Sequence, residues 1–237
     1  AGKVVGIFQD LVAKRFAAEE VGDLGMRGPV ALQPRSDLLL TNIVRGSVGL
    51  VLEEADQTDV FADTQLKNVL DGVVSSIRAA AGRDSDRFDS EVERMSPRFL
   101  TALGELFSLM DDQHALLRLV DEEEELNLDQ GAIARGRERA TATSIRERDD
   151  DVLSGRLFLL PAARRFELQE LDNGQAISGG ISPGFTRERL EELLREGGVV
   201  GQRWQVRIRS RTVSRPQGPS RTTYTLLGLV QRLEPLR

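Results

Sequence analysis

The spacing of hydrophobic positions changes several times along the chain, and each change marks a different kind of element. In the first segment, VVGIFQDLVAKRF, Val4, Val5, Phe8, Leu11, Val12 and Phe16 recur at the three-to-four-residue step of a helix. That spacing predicts a helix over about 4–20, ended near Gly22. The runs SDLLLTNIV and VGLVLEE read as a hairpin over about 37–44 and 47–53, with Gly46 supplying a permissive turn backbone. Helical spacing returns in TQLKNVLDGVVSSIRAA, where Leu66, Val69, Leu70, Val73 and Ile77 form a stripe and Gly82 follows as a stop. Another helical stretch covers about 85–95, with Phe88 and Val92 four apart. Ser96 and Pro97 then give a strong start signal, cap residue followed by proline at the first helical position. Phe99, Leu100, Leu103, Leu106, Phe107 and Met110 make the buried face of that helix, and HALLRLV and ELNL read as a short hairpin after it.

Between 129 and 151, DQGAIARGRERATATSIRERDDD, apolar residues thin out and charge rises, the pattern of a charged linker or a charged helix. Beyond it the period becomes that of strands. VLSGRLFLL, RRFELQEL and QAISGGI are three consecutive strands, with a hairpin signal at Asp172-Asn173-Gly174. SPGFTRERLEELLREGG is a helix whose Phe185, Leu190, Leu193 and Leu194 face inward and which Gly197 stops. WQVRIRSRTV and TTYTLLGLV are two more strands. Three strands, a helix and two strands is the order of the OB-fold, a five-stranded Greek-key barrel. The expected fold class is therefore α+β. A mixed helix/strand domain spans 1–128, a charged linker or helix 129–151, and a small OB-like five-stranded barrel with one helix 152–237.

Charge sharpens this division. Residues 152–237 hold 14 arginines, no lysine and 8 carboxylates, a charge of +6, whereas 1–151 hold 18 basic and 30 acidic residues, a charge of −12. Opposite signs in the two parts point to two physically distinct regions. The chain contains no cysteine, which removes disulfides, thiolate nucleophiles and thiolate metal sites together. With no long apolar run and no signal-peptide pattern at the N-terminus, the expectation is a cytoplasmic protein without membrane contact.

Chemistry is sparse. The single histidine, His114, stands beside Asp111 and Asp112 at a helix end and reads as a surface imidazole. No nucleophile elbow, phosphate loop or zinc helix motif is present. The acidic clusters Asp121–Glu125 and Glu147 with Asp149–Asp151 lack calcium-loop spacing and read as solvated turns. No catalytic residue, metal, cofactor or small-molecule site is expected. The candidate binding residues are the barrel arginines Arg164, Arg165, Arg207, Arg209, Arg211, Arg215 and Arg221. Three of them, Arg207, Arg209 and Arg211, alternate with Trp204, Val206 and Ile208, and strand alternation places them on the opposite side. The strand aromatics Phe158, Phe166, Trp204 and Tyr224 stand in register with aliphatic neighbours and are read as core. Arginines without a base-stacking platform favour protein contacts over a single-strand groove.

The functional expectation is a non-enzymatic, two-domain interaction or assembly protein, self-associating or accessory to a larger complex. A nucleic-acid-binding protein that uses the arginine-rich barrel, with weak binding, is the alternative. An enzyme with a site between domains is the weaker third. A purely compositional reading, in which the arginines only keep a surface wet, stands beside all three.

Overall fold

The computed structural model describes residues 2–21, 38–44, 49–54, 65–120, 125–195, 200–216 and 218–234. These form two compact units, Ala1–Ser144 and Ile145–Arg237.

The first unit is mostly helical: α1 (Gly2–Val21), α2 (Gln65–Ala81), α3 (Ser85–Val92), α4 (Pro97–Asp112) and α5 (Gln130–Ala142). Two antiparallel hairpins accompany them, β1 (Leu38–Val44) with β2 (Gly49–Glu54) and β3 (Leu117–Val120) with β4 (Glu125–Leu128). The Ser96–Pro97 signal is realised as read, with the Ser96 hydroxyl accepting from the Phe99 amide at 3.1 Å. The α4 stripe of Phe99, Leu100, Leu103, Leu106, Phe107 and Met110 is buried, as is the α2 stripe at Leu66, Val69, Val73 and Ile77, while Leu70 is half-buried. The turn at Gly46, the helix stops at Gly22 and Gly197, and the Leu194 side chain lie outside the described residues, as does most of the acidic run, Asp121–Glu124.

Within residues 129–151, 130–142 form α5 and 144–151 are the first half of β5. Asp129 caps α5 by accepting from the Ala132 amide at 2.7 Å, and β5 begins at Ser144. Helix α5 packs on α4 at Gly136, where a Cβ would collide with the Phe107 ring. Its apolar content is low because it needs little. Ala132, Ile133, Gly136 and Ala140 supply its buried face, and its arginines bind neighbouring elements.

The second unit is a closed five-stranded barrel, β5 (Ser144–Leu160), β6 (Arg165–Glu170), β7 (Ala176–Ile181), β8 (Val200–Ser214) and β9 (Arg221–Arg232). The strands follow one another round the barrel in the order β5-β6-β7-β9-β8. Strands β6 and β7 pair antiparallel, β7 and β9 meet in parallel at Gly180–Thr225 and Ile181–Leu226, and α6 (Arg187–Arg195) lies between β7 and β8 in sequence. This is the OB-like arrangement expected from the element order. Closure depends on Gly179, where any Cβ would run into the Tyr224 carbonyl of β9. Leu157, Leu159, Phe166, Leu168, Ile177, Ile181, Leu190, Leu193, Val206, Ile208 and Leu226 fill the interior, with Trp204, Tyr224 and Phe185 packed at its margin. Among the described residues no helix is long and apolar enough to cross a membrane.

Candidate interaction surface of the barrel

Strand alternation sorts the barrel's side chains into an inner and an outer set, and the arginines fall into three groups. The first group is spent on the barrel itself. On β8, Val206 and Ile208 are buried and Arg207 between them is exposed, as alternation requires. Arg209 does not point to open solvent. Its Nε donates to Asp149 Oδ1 at 2.5 Å and its Nη2 to Asp149 Oδ2 at 3.2 Å, a two-pronged pair. Arg211 pairs with Glu147, both side chains being under one-fifth exposed, and between them the Ser210 hydroxyl donates to Asp151 at 2.7 Å. The carboxylates read as a solvated turn are thus part of β5. They are strand residues, and two of them, Glu147 and Asp149, neutralise Arg211 and Arg209. The alternation also breaks before the end of β8, because Val213 is buried at a position of arginine parity, outside the main core cluster.

Arg164 belongs to the same group for a different reason. It adopts a left-handed backbone (φ 48°) after the short 3-10 turn Pro161–Ala163. Its guanidinium reaches the loop after β7, donating to the Ser182 carbonyl at 2.8 Å and the Phe185 carbonyl at 3.1 Å. It fastens one loop to another. Arg215 and Arg221 form a second group at the connection between β8 and β9. Arg215 is half-buried just past β8, and Arg221 is exposed opposite Val213, each engaged by a neighbour.

The third group lies on the outer face of β5 and β6. The pairs Arg156–Gln169, Phe158–Glu167 and Leu160–Arg165 stand directly opposite one another on the two strands. Inward-facing Leu157, Leu159, Phe166 and Leu168 are buried, so Arg156, Phe158, Leu160, Arg165, Glu167 and Gln169 form the outer surface. Phe158 is therefore not a core aromatic, which corrects the sequence reading. It is half-buried because one flank rests near Gly201, at the left-handed start of β8 (φ 71°). Leu160 is 55 % exposed. Phe166, Trp204 and Tyr224 do pack in or against the core. Arg156, Arg165 and Glu167 have no ion pair among the described residues. Of these outer residues only Arg165 was a candidate from sequence. The run LFLL hides the parity of β5, and the one local hint is Arg156 immediately before it, two residues from Phe158.

Beside this surface, β7 presents Ala176, Ser178 and Gly180, all exposed, and a Cβ at Gly180 would meet nothing within 4 Å. A low strip thus runs alongside the taller β5–β6 ridge. In the first unit, a cleft is lined by Arg15, Glu19, Arg94, Ser96 and Phe99. Arg15 there is already held by Glu19, by the Gly72 carbonyl at 3.1 Å and by the Ser76 hydroxyl at 3.2 Å. No group of carboxylates and imidazoles among the described residues is arranged to hold a metal ion. Compared with protein-family models, with curated proteins and with solved structures, the chain matches none.

Proposed function

We propose that this chain is a non-enzymatic interaction protein whose barrel contacts a protein partner through the outer face of β5 and β6. The observation that carries the reading is the contrast between spent and available arginines on one barrel. Arg164, Arg209 and Arg211 are bound internally, while Arg156 and Arg165 flank an outward-facing apolar pair, half-buried Phe158 and exposed Leu160. Aromatic and aliphatic anchors bordered by arginine are the make-up of protein interfaces. The unit's net charge supports this ranking. Residues 145–237 hold 16 arginines against 12 carboxylates, a net of only +4, too little for a strong polyanion field.

A photo-crosslinking residue placed at position 160 in the source cells tests the reading. The expected product is a protein adduct that survives nuclease and is lost in the R156E/R165E background. Adducts that vanish with nuclease would transfer the barrel to the second reading, single-strand binding, which rests on Phe158 as a stacking ring between two arginines.

A further inference from the structure

The outer face of β5 and β6 carries a fixed order of charge and shape. Strand register sets three levels about 6.7 Å apart, the rise of two residues. Arg156 stands on the first, Phe158 and Glu167 on the second, Leu160 and Arg165 on the third. Along the strands the face therefore reads positive, then apolar with a negative neighbour, then positive with an apolar neighbour. All three charges lack an ion pair among the described residues.

We propose that this face takes an extended peptide segment of a partner protein with the pattern acid–x–apolar–x–acid, a proposal that rests on the barrel being an interaction module. An extended segment places residues i, i+2 and i+4 on one side at the same two-residue rise. Its two carboxylates then meet Arg156 and Arg165, and its central apolar side chain covers Phe158 and Leu160. The low strip of Ala176, Ser178 and Gly180 gives its backbone room to lie beside the ridge. Glu167 decides between a peptide and a nucleic acid. A phosphodiester chain carries one negative charge at every step, so a strand bridging Arg156 and Arg165 would bring phosphate near Glu167 at the middle level. A peptide avoids that repulsion by having a neutral residue there. Arginine also suits the peptide carboxylate, whose two oxygens match the guanidinium fork.

The test uses the full chain and a fluorescein-labelled peptide, Gly-Ser-Asp-Thr-Leu-Ser-Asp-Ser-Gly, in fluorescence anisotropy at ~150 mM salt. Saturable binding is expected with a Kd of about 10–100 μM. Replacing both peptide aspartates by asparagine should weaken it at least tenfold. So should R156E/R165E in the protein, with an unchanged melting temperature because both side chains are exposed. A peptide with lysines in place of the aspartates should bind that double variant better than it binds wild type, which general loss of folding cannot produce. Absence of saturable binding up to ~1 mM, or binding indifferent to R156E/R165E, overturns the proposal, as does a ten-residue oligothymidylate that binds more tightly than the peptide. If the peptide fails while position 160 still crosslinks to protein, the assigned pattern is wrong and the interaction reading stands. If both fail, the interaction reading falls with it.

Discussion

Arg139 in the helical unit and Arg209 and Arg211 in the barrel do different work, and the difference lies in what each faces. In the helical unit, Arg139 on α5 reaches the C-terminal end of α2. Its Nη1 donates to the carbonyls of Ala79 (3.2 Å), Ala80 (3.1 Å) and Gly82 (2.7 Å), and its Nη2 to Arg83 (3.3 Å). Arg135 adds a bond to the Ala81 carbonyl at 3.1 Å. The last turn of a helix leaves carbonyls without intrahelical partners and concentrates negative partial charge there. Two arginines from a neighbouring helix answer both needs. In the barrel, Arg209 and Arg211 face full carboxylates on an adjacent strand. Carboxylates have solvent as an alternative partner and helix-end carbonyls pinned under a guanidinium have less, so equal formal charge need not give equal stabilisation.

The strongest test of this comparison is where the barrel can be cut. Residues 145–237 expressed alone should be soluble and melt cooperatively, because all five strands and the core lie within them. A fragment starting at 152 lacks Glu147, Asp149 and Asp151 together with half of β5, leaving β8 with an unpaired edge and uncompensated arginines. It should show no cooperative transition by circular dichroism. A well-folded 152–237 fragment would make the β5–β8 ion pairs ornamental.

Next in size is Arg139→Ala. Losing a guanidinium that caps several carbonyls should destabilise the first unit by about 2–3 kcal/mol in urea unfolding, with Arg139→Lys recovering only part. A loss below about 0.5 kcal/mol would mean that water replaces the cap without cost. On the barrel side, a double-mutant cycle of Arg211→Ala and Glu147→Gln should give a coupling of about 1 kcal/mol, and the same cycle on the more exposed Arg209–Asp149 pair about half that, falling with salt. A coupling for the exposed pair larger than for the enclosed one would reverse the role assigned to enclosure.

How far these roles were legible follows from what each requires. Stripes on α2 and α4, the Ser96–Pro97 start and the order of barrel elements depend on near neighbours in sequence, and periodicity exposes them. The ion pairs depend on which strands become adjacent when the barrel closes. Arg211 and Glu147 are 64 residues apart in sequence, and no local pattern states that β8 returns to β5. Helix α5 was ambiguous for a related reason. Its buried face is mostly small residues, with Ile133 the one large side chain, packed on Gly104 and Phe107 of α4, so its hydrophobic signal is faint although its packing is close. Phe158 was misplaced because consecutive apolar residues in LFLL erase the alternation on which face assignment relies. The exposed outer surface was consequently the part of the barrel that sequence concealed most.

The smallest expected effect concerns Asp111, where the two kinds of arginine contact can be compared by titration. Arg137 on α5 donates to Asp111 Oδ2 and to Asp112 Oδ1, each at 2.8 Å, and Gln130 donates to Asp111 Oδ1 at 2.8 Å. The Arg137 hydrogen bond, opposed by desolvation and aided by Gln130, holds the Asp111 carboxyl below its ordinary value. A carboxyl depressed in the folded state stabilises the fold above its unfolded-state pKa, and that contribution disappears as pH falls through the folded value. Stability of the first unit should therefore weaken on the acid side of the usual carboxylate range. Arg137→Gln should raise the Asp111 pKa toward the ordinary value in a ¹³C-carboxyl NMR titration and flatten that acid-side slope. Helix-end carbonyls do not titrate, so Arg139→Gln should lower stability by a similar amount at every pH and leave the slope as it was. If Arg139→Gln also changes the slope, its guanidinium is acting on carboxylates, and the division between backbone-facing and carboxylate-facing arginines fails at its most direct test.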